Sequence, residues 1–126
     1  MRIHNPRSER GAAAVEFALV MPLLFLLVFG IIEFGFIFNK ELSVTHSARE
    51  GVRVYALNGS ASAAKTFAEA ASGSGGITCT PSPAVGAVAP VAGSTVSMTC
   101  NATYNLQLYV VKRLVTMSST ASARKE

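Results

Sequence analysis

The sequence predicts an α+β protein in which a long N-terminal helix crosses a membrane and continues outside it to a small antiparallel sheet. Two observations carry this prediction. The large apolar side chains are concentrated in one block near the N-terminus, whereas strand-like alternation of apolar and polar residues occurs only in the C-terminal half. The 126 residues leave room for one small domain beyond the apolar block.

The apolar block is long enough to cross a bilayer. Residues 17–38 read FALVMPLLFLLVFGIIEFGFIF, with Glu33 as their single charge. A helix of this length spans the roughly 30 Å hydrocarbon core, whereas a cleavable secretory signal has a shorter apolar region followed by a small-residue cleavage site. We therefore predict a membrane helix. Two interpretations of Glu33 stay open: a carboxylate that reaches the outer interface, or packing in a partner helix bundle.

The charges that flank the block predict its orientation. The leader at 1–11 holds three arginines and one glutamate, whereas Lys40 and Glu41 follow the block and cancel. Positive charge marks the cytoplasmic side of a membrane helix. The predicted organisation is a basic cytoplasmic leader at 1–11, a transmembrane helix at 12–38, a helix extension at 39–58 and a small disulfide-linked extracytoplasmic α+β head at 59–126.

The predicted extension is amphipathic. An apolar and a polar stripe recur along it at helical spacing: Val44, Ala48, Val52 and Tyr55; and Glu41, Thr45, Arg49 and Arg53. Asn58 and Gly59 are expected to end the helix, and an Ala-rich stretch predicts a short second helix around Ala61 to Ala71.

Alternating patterns predict the strands. The clearest runs from Thr95 to Tyr104, a weaker one from Val115 to Ala123, and a short third from Ile77 to Thr80. The segment 80–93 contains three prolines, so an exposed irregular loop is expected there.

Cys79 and Cys100 are predicted to form a disulfide, because an even pair on the oxidising side of a membrane favours one. A closed loop of about 20 residues contributes roughly 3 kcal/mol. A free buried thiol pair and a metal site are the alternatives, but the chain has neither a C-x-x-C spacing nor a histidine near these cysteines. His46 stands alone, and no metal site is predicted.

The composition does not favour catalysis or nucleic-acid binding. The chain contains no aspartate, no Ser/His/Asp or Cys/His arrangement and no Gly-rich phosphate loop, so no enzyme activity and no cofactor are expected. The net charge of +4 is spread along the chain without the basic cluster that a nucleic-acid footprint requires.

The residues before the apolar run form a candidate processing motif. Gly11 ends the basic leader, Ala12 follows it, and Glu16 and Phe17 stand at the threshold of the membrane helix. One interpretation is that Glu16 only favours the first turn of the helix through its dipole. The other is that the arrangement resembles a type IV prepilin signal. That resemblance implies cleavage after Gly11 by a prepilin peptidase, Ala12 as the new N-terminus, and pairing of the fifth residue, Glu16, with the terminal amine of a neighbouring subunit.

The resemblance extends to the TadE-like family. The VEFAL-like segment at 15–19 with Pro22, and the AR-x-G-x-R-like stretch made by Ala48, Arg49, Gly51 and Arg53, are similar to that family. It implies a minor pilin or pseudopilin of a tight-adherence (Tad/Flp) pilus system, with a pilin-like shape and a role in adhesion or surface attachment.

The same resemblance implies a place and a set of partners. The protein is expected in the bacterial inner membrane as a single-pass protein, with its head periplasmic or otherwise extracytoplasmic. The implied partners are a prepilin peptidase, other Tad pilus components and pilin subunits. The alternative is a single-pass, membrane-anchored extracytoplasmic binding module unrelated to pili. The short chain disfavours a TadG-like protein, whereas TadE-like and TadF-like identities are not separated.

Overall fold

A computed structural model describes residues 6–73, 75–108 and 111–126, with side chains for 11–73, 75–106 and 113–126. Its elements are α1 (Pro6–Asn58), α2 (Ala61–Ala71), β1 (Ile77–Ser82), β2 (Thr95–Leu108) and β3 (Val111–Arg124). The strands form one antiparallel sheet in the order β1-β2-β3, so the predicted α+β fold class is confirmed. The chain divides into two units, Met1–Gly35 and Phe36–Glu126.

The first unit consists, in its described part, of the N-terminal portion of α1. The helix begins at Pro6, a residue that suits a first helical turn because its missing N–H is not needed there. Its apolar run is long and apolar enough to cross a membrane, and most side chains of this run are exposed. One such helix near the N-terminus suggests a single-pass membrane anchor. The boundaries predicted for the span, 12–38, stay predictions.

The second unit holds the end of α1, the short helix α2 and the sheet. Gly59 ends α1 in a left-handed conformation with φ of 66°, and its N–H donates to the carbonyl oxygen of Tyr55 at 2.9 Å. Ser60 then begins α2 as an N-cap whose hydroxyl accepts from the Ala63 N–H at 3.4 Å. Both helix boundaries agree with the sequence pattern.

The strands are longer than predicted. β2 continues from Tyr104 to Leu108, and β3 begins at Val111 rather than Val115. The expected loop from Thr80 is wrong for its first residues, because Pro81 is buried in β1 and is paired with Met98. β1 lies at an edge of the sheet, where a proline can be accommodated without losing a ladder hydrogen bond.

The core of this unit lies between the end of α1, α2 and one face of the sheet. All four residues of the predicted apolar stripe of α1 are buried. The remaining buried apolar residues are Ala56, Ala64, Ala68, Ile77, Cys79, Val96, Met98, Cys100, Ala102 and Met117. Alternate β2 residues point into this core, as the period of two requires. The opposite face of the sheet carries polar side chains, and the Thr99 and Thr120 hydroxyls hydrogen-bond across it at 2.8 Å.

Candidate functional site

The predicted processing residues lie in the first turns of α1. Gly11, Ala12, Glu16 and Phe17 are all helical and exposed. Ala12 and Glu16 are four residues apart and therefore share one face of the helix. A Cβ added to Gly11 would meet no other side chain or loop within 4 Å. The structure thus places these four residues together on an accessible stretch, and their processing stays a prediction.

The helical conformation at Gly11 differs from the extended path that a peptidase site is expected to require. Cleavage after Gly11 therefore requires this part of α1 to unwind. Glycine lowers the cost of that step, because it destabilises a helix interior by roughly 0.5–1 kcal/mol relative to alanine. Gly11 is accordingly a point at which this exposed part of the helix opens more easily than it would with alanine there.

The AR-x-G-x-R stretch divides into a buried and an exposed side. Ala48 is fully buried, whereas Arg49 and Arg53 point outward, and Arg53 forms an exposed ion pair with Glu50 at 3.6 Å. Such an exposed pair contributes little to stability. The small residues of this stretch thus serve packing, while its arginines lie on the surface.

At Gly51, α1 packs closely against α2. Among the described glycines, Gly51 leaves the least space for an added Cβ. A Cβ placed on Gly51 would lie 2.6 Å from the Cβ of Ala68 and 3.0 Å from the Cγ of Met98. Carbon atoms in ordinary van der Waals contact are about 3.5–4.0 Å apart. A side chain at position 51 would therefore push α2 and the sheet away from α1.

Tyr55 connects α1 to the turn that follows β1. Its side chain is buried, and its hydroxyl donates a hydrogen bond to the carbonyl oxygen of Pro83 at 2.8 Å. This bond satisfies the polar end of an otherwise apolar, buried ring. Burial raises the pKa of the Tyr55 hydroxyl above its ordinary value of 10.0, because the charged phenolate is poorly solvated there.

Cys79 and Cys100 form the predicted disulfide between directly paired residues of β1 and β2. A contact that sequence reasoning missed lies beside it: the Cys79 N–H donates to Glu69 Oε1 at 3.1 Å. Lys65, one turn earlier on α2, lies 4.0 Å from the same carboxylate oxygen. The i,i+4 spacing of Lys65 and Glu69 is visible in the sequence. The contact between Glu69 and the backbone of β1 is not.

His46 and Ser47 are neighbouring polar residues on the part of α1 that belongs to the head. His46 is exposed and lines a shallow depression with residues of α1 and the end of α2. Within the described ranges, no group of three or more His, Cys, Asp or Glu side chains is placed to hold a metal ion. One buried hydroxyl, that of Ser47 on α1, lacks a hydrogen-bond partner in this part of the chain.

These features define a class of protein: an exposed apolar N-terminal helix whose last turns belong to a small, disulfide-linked α+β head. Within this class, residues 11–53 match the model of the family described as TadE-like protein. The resemblance seen in the sequence is thereby confirmed over this segment, about a third of the chain. No curated protein and no solved structure matches the chain. The family match points to a role related to Tad pili, at a membrane and in association with Tad pilus components.

Proposed function

We propose that the protein is a TadE-like minor pilin or pseudopilin, a non-enzymatic component for assembly of a Tad/Flp-type pilus in adhesion or surface attachment. The match of residues 11–53 to the TadE-like family is the observation that carries this proposal. The matched segment begins at Gly11 and ends at Arg53. It therefore includes the candidate processing motif, the apolar run and the closely packed glycine of the head.

In this proposal a prepilin peptidase cuts after Gly11, which leaves Ala12 as the new N-terminus and Glu16 as the fifth residue, followed by Phe17. Glu16 is exposed at the edge of the apolar run. Burying an unpaired ionised carboxylate in an apolar environment costs several kcal/mol. The new terminal amine of a neighbouring, processed subunit would neutralise that charge, so processing and subunit packing would depend on each other.

The proposed location is the bacterial inner membrane, with the N-terminus in the cytoplasm and the head in the periplasm or beyond. The arginines that precede the span support this orientation. The disulfide supports it as well, because such bonds persist in oxidising compartments. A periplasmic reporter fused after Glu126 is expected to be active, and activity of a cytoplasmic reporter at the same place would contradict the orientation.

A complementation experiment tests the pilus role. The gene is deleted from its bacterial host, and surface pili are counted after it is restored as the wild type, as Glu16→Ala or as Glu41→Ala. Glu41 is an exposed acid on the same helix beyond the apolar run, which makes it a matched control. We expect loss of pili in the deletion, failure of Glu16→Ala and rescue by Glu41→Ala. Normal piliation in the deletion strain would favour the membrane-anchored binding module.

A further inference from the structure

The two edges of the sheet differ in the backbone groups that they leave for another strand. β1 and β3 are the outer strands, because β2 pairs with both of them. Along a strand, successive residues point their backbone N–H and C=O to opposite sides, so half of these groups on an outer strand point away from the sheet. Such an outward row can pair with a further strand.

The Cys79 N–H shows which groups of β1 point outward. It donates to Glu69 Oε1 of α2 at 3.1 Å and is therefore not used in the ladder with β2. Cys79 and Cys100 are thus a non-hydrogen-bonded pair, which agrees with the short distance of 4.1 Å between their Cα atoms. The outward groups of β1 accordingly belong to Ile77, Cys79 and Pro81.

The β1 edge offers very little to a further strand. Pro81 has no N–H, and the N–H of Cys79 is already bound by Glu69, so at most the N–H of Ile77 is left. All three of these β1 residues are buried. A proline on the edge and a helix that covers it are known ways to prevent edge-to-edge pairing.

The same alternation identifies the outward groups of β3. Because the Cys100 N–H points away from β1, it points toward β3, and Cys100 and Ser119 form a hydrogen-bonded pair. The Lys125 N–H, six residues after Ser119, donates to the Ser94 carbonyl oxygen at 2.8 Å, which agrees with this assignment. The outward groups of β3 therefore belong to the even-numbered residues Leu114, Thr116, Ser118, Thr120 and Ser122.

The β3 edge is open along these five residues. All five are exposed, and the stretch 114–123 contains neither a proline nor a charge. Among the residues that the structure describes, none forms a hydrogen bond with the outward backbone groups of 114–122. The last turn of α1 reaches this side only beyond the strand, where the Glu126 N–H donates to the Ala56 carbonyl oxygen at 3.3 Å.

We propose that the β3 edge binds an extended segment of a partner protein as a fourth strand, with a carboxylate of that segment beside Arg113. Main-chain hydrogen bonds to 114–122 supply the affinity. The charges that bound this edge are mainly positive: Arg113 at one end, and Arg124 and Lys125 ahead of Glu126 at the other. They favour a partner segment that is uncharged in its middle and acidic at its ends. The proposal is independent of the membrane assignment and of the pilus role.

A second copy of this chain fits the edge less well. Because the β1 edge is blocked, two copies can pair only through β3 and β3, around a two-fold axis. The pairing that uses all five outward residues is centred on Ser118, and it places Arg113 of each copy next to Arg124 of the other. These two like-charge contacts oppose the dimer.

Peptide binding to the full chain in detergent tests the proposal. The probe is a fluorescent peptide of sequence EETVTVTVTEE, and its binding is followed by fluorescence anisotropy. The same peptide N-methylated at alternate residues cannot form the ladder. Ser118→Pro removes an outward N–H that β2 does not use, whereas the control Ser118→Ala keeps it.

We expect the acidic peptide to bind, and N-methylation or Ser118→Pro to weaken binding about tenfold, with Ser118→Ala close to the wild type. The N-methylated peptide removes the ladder from the ligand side, so the test does not depend on the folding of Ser118→Pro. Failure of the acidic peptide to bind, or equal binding of its N-methylated form, would overturn the proposal. A dimer of the chain that Ser118→Pro abolishes would assign the edge to a second copy and would also overturn it.

Hydrogen exchange locates the bound strand. By NMR, the outward amides of 114–122 should exchange quickly in the free protein and become protected when the acidic peptide binds. The amides of Val115, Met117 and Ser119, which face β2, should be protected in both states. Protection that appears elsewhere and not at the outward amides would overturn the assignment to the β3 edge.

The charge of Arg113 provides a separate test. The wild type should bind the acidic peptide several-fold more tightly than KKTVTVTVTKK, and Arg113→Glu should reverse this preference. Arg53→Glu, which changes an exposed arginine of α1, is the control and should leave the preference unchanged. Equal binding of the two peptides by the wild type would overturn the placement of a carboxylate beside Arg113.

Discussion

Gly51 of α1 lies directly against Ala68 of α2, at a place where a Cβ on Gly51 would come within 2.6 Å of the Ala68 Cβ. The contact gives a physical reason for a glycine within the AR-x-G-x-R stretch. Only a residue without a side chain lets α2 and Met98 of the sheet pack this closely against α1. The buried residues of that stretch, Ala48 and Gly51, thus pack in the head, and its two arginines are exposed.

Replacement of Gly51 by alanine should destabilise the head. Alanine favours a helix by about 1 kcal/mol over glycine, but overpacking at a close contact costs typically 1–3 kcal/mol, so we expect a net loss of about 1 kcal/mol. The measurement is denaturant unfolding of the full chain in detergent, monitored by a spectroscopic signal from the sheet. An increase in the free energy of unfolding would show that helix propensity outweighs the contact.

A double variant separates these two effects. Ala68→Gly removes the Cβ that a side chain at position 51 would meet. We expect Gly51→Ala combined with Ala68→Gly to be more stable than the sum of the single losses predicts, because contacting residues are energetically coupled. Strict additivity of the two substitutions would mean that they do not share a contact.

Removal of the Tyr55 hydroxyl should weaken the head. Tyr55→Phe keeps the buried ring but leaves the Pro83 carbonyl oxygen without this donor. The net value of such a hydrogen bond is about 1 kcal/mol, and we expect a loss of that size in the free energy of unfolding near neutral pH. An unchanged free energy of unfolding would imply that water replaces the hydroxyl without cost.

The same residue predicts a dependence of stability on alkaline pH. Because the pKa of Tyr55 is raised in the folded state, its contribution is fully present below the unfolded value of 10.0 and is lost as pH rises through the folded pKa. The difference in stability between the wild type and Tyr55→Phe should therefore shrink as the pH rises above 10.0. A difference that stays constant over this range would contradict the burial of the hydroxyl.

The disulfide should supply a large part of the stability of the head. The two cysteines are 21 residues apart, and a loop of this length contributes about 3 kcal/mol in the chain-entropy description. We expect the variant with both Cys79→Ala and Cys100→Ala to lose about that amount in denaturant unfolding. A reducing agent should destabilise the wild type in the same direction and leave the double variant unchanged. Equal stability of the wild type and the double variant would show that the bond does not stabilise the head.

Local patterns predicted much of this fold. The apolar stripe from Val44 to Tyr55 is buried, Gly59 ends α1, and α2 has the bounds that its alanines indicated. These features depend on residues close together in the sequence, where periodicity and capping act directly. The disulfide predicted from an even pair of cysteines on the oxidising side of a membrane is confirmed.

Contacts between distant elements were not predicted. The approach of Gly51 to Ala68 and the bond from Cys79 to Glu69 depend on how α2 packs, which no local pattern specifies. The three prolines of 80–93 predicted a loop that includes Pro81. That Pro81 instead pairs at a sheet edge depends on the whole fold. By contrast, the alternation of Tyr104, Leu106 and Leu108 was present in the sequence and already indicated the longer β2.

The candidate processing site was recognised from the sequence alone, since it is a linear motif at the start of one helix. The structure adds the finding that Gly11 is helical and exposed. A peptidase acting there would have to unwind the helix, whereas burial would not block it. A substitution at Gly11 should therefore act through recognition and local helix stability, without disturbing the head.

The most direct test of the processing and pilin assignment is the mass of the protein after co-expression with a prepilin peptidase. We expect a mature chain that begins at Ala12, shortened by the 11 residues that end at Gly11. Gly11→Leu should block the cleavage, whereas Gly35→Leu, a second glycine of α1 with open space around it, should leave it unchanged. An intact N-terminus on the wild-type chain in the presence of an active peptidase would contradict the assignment.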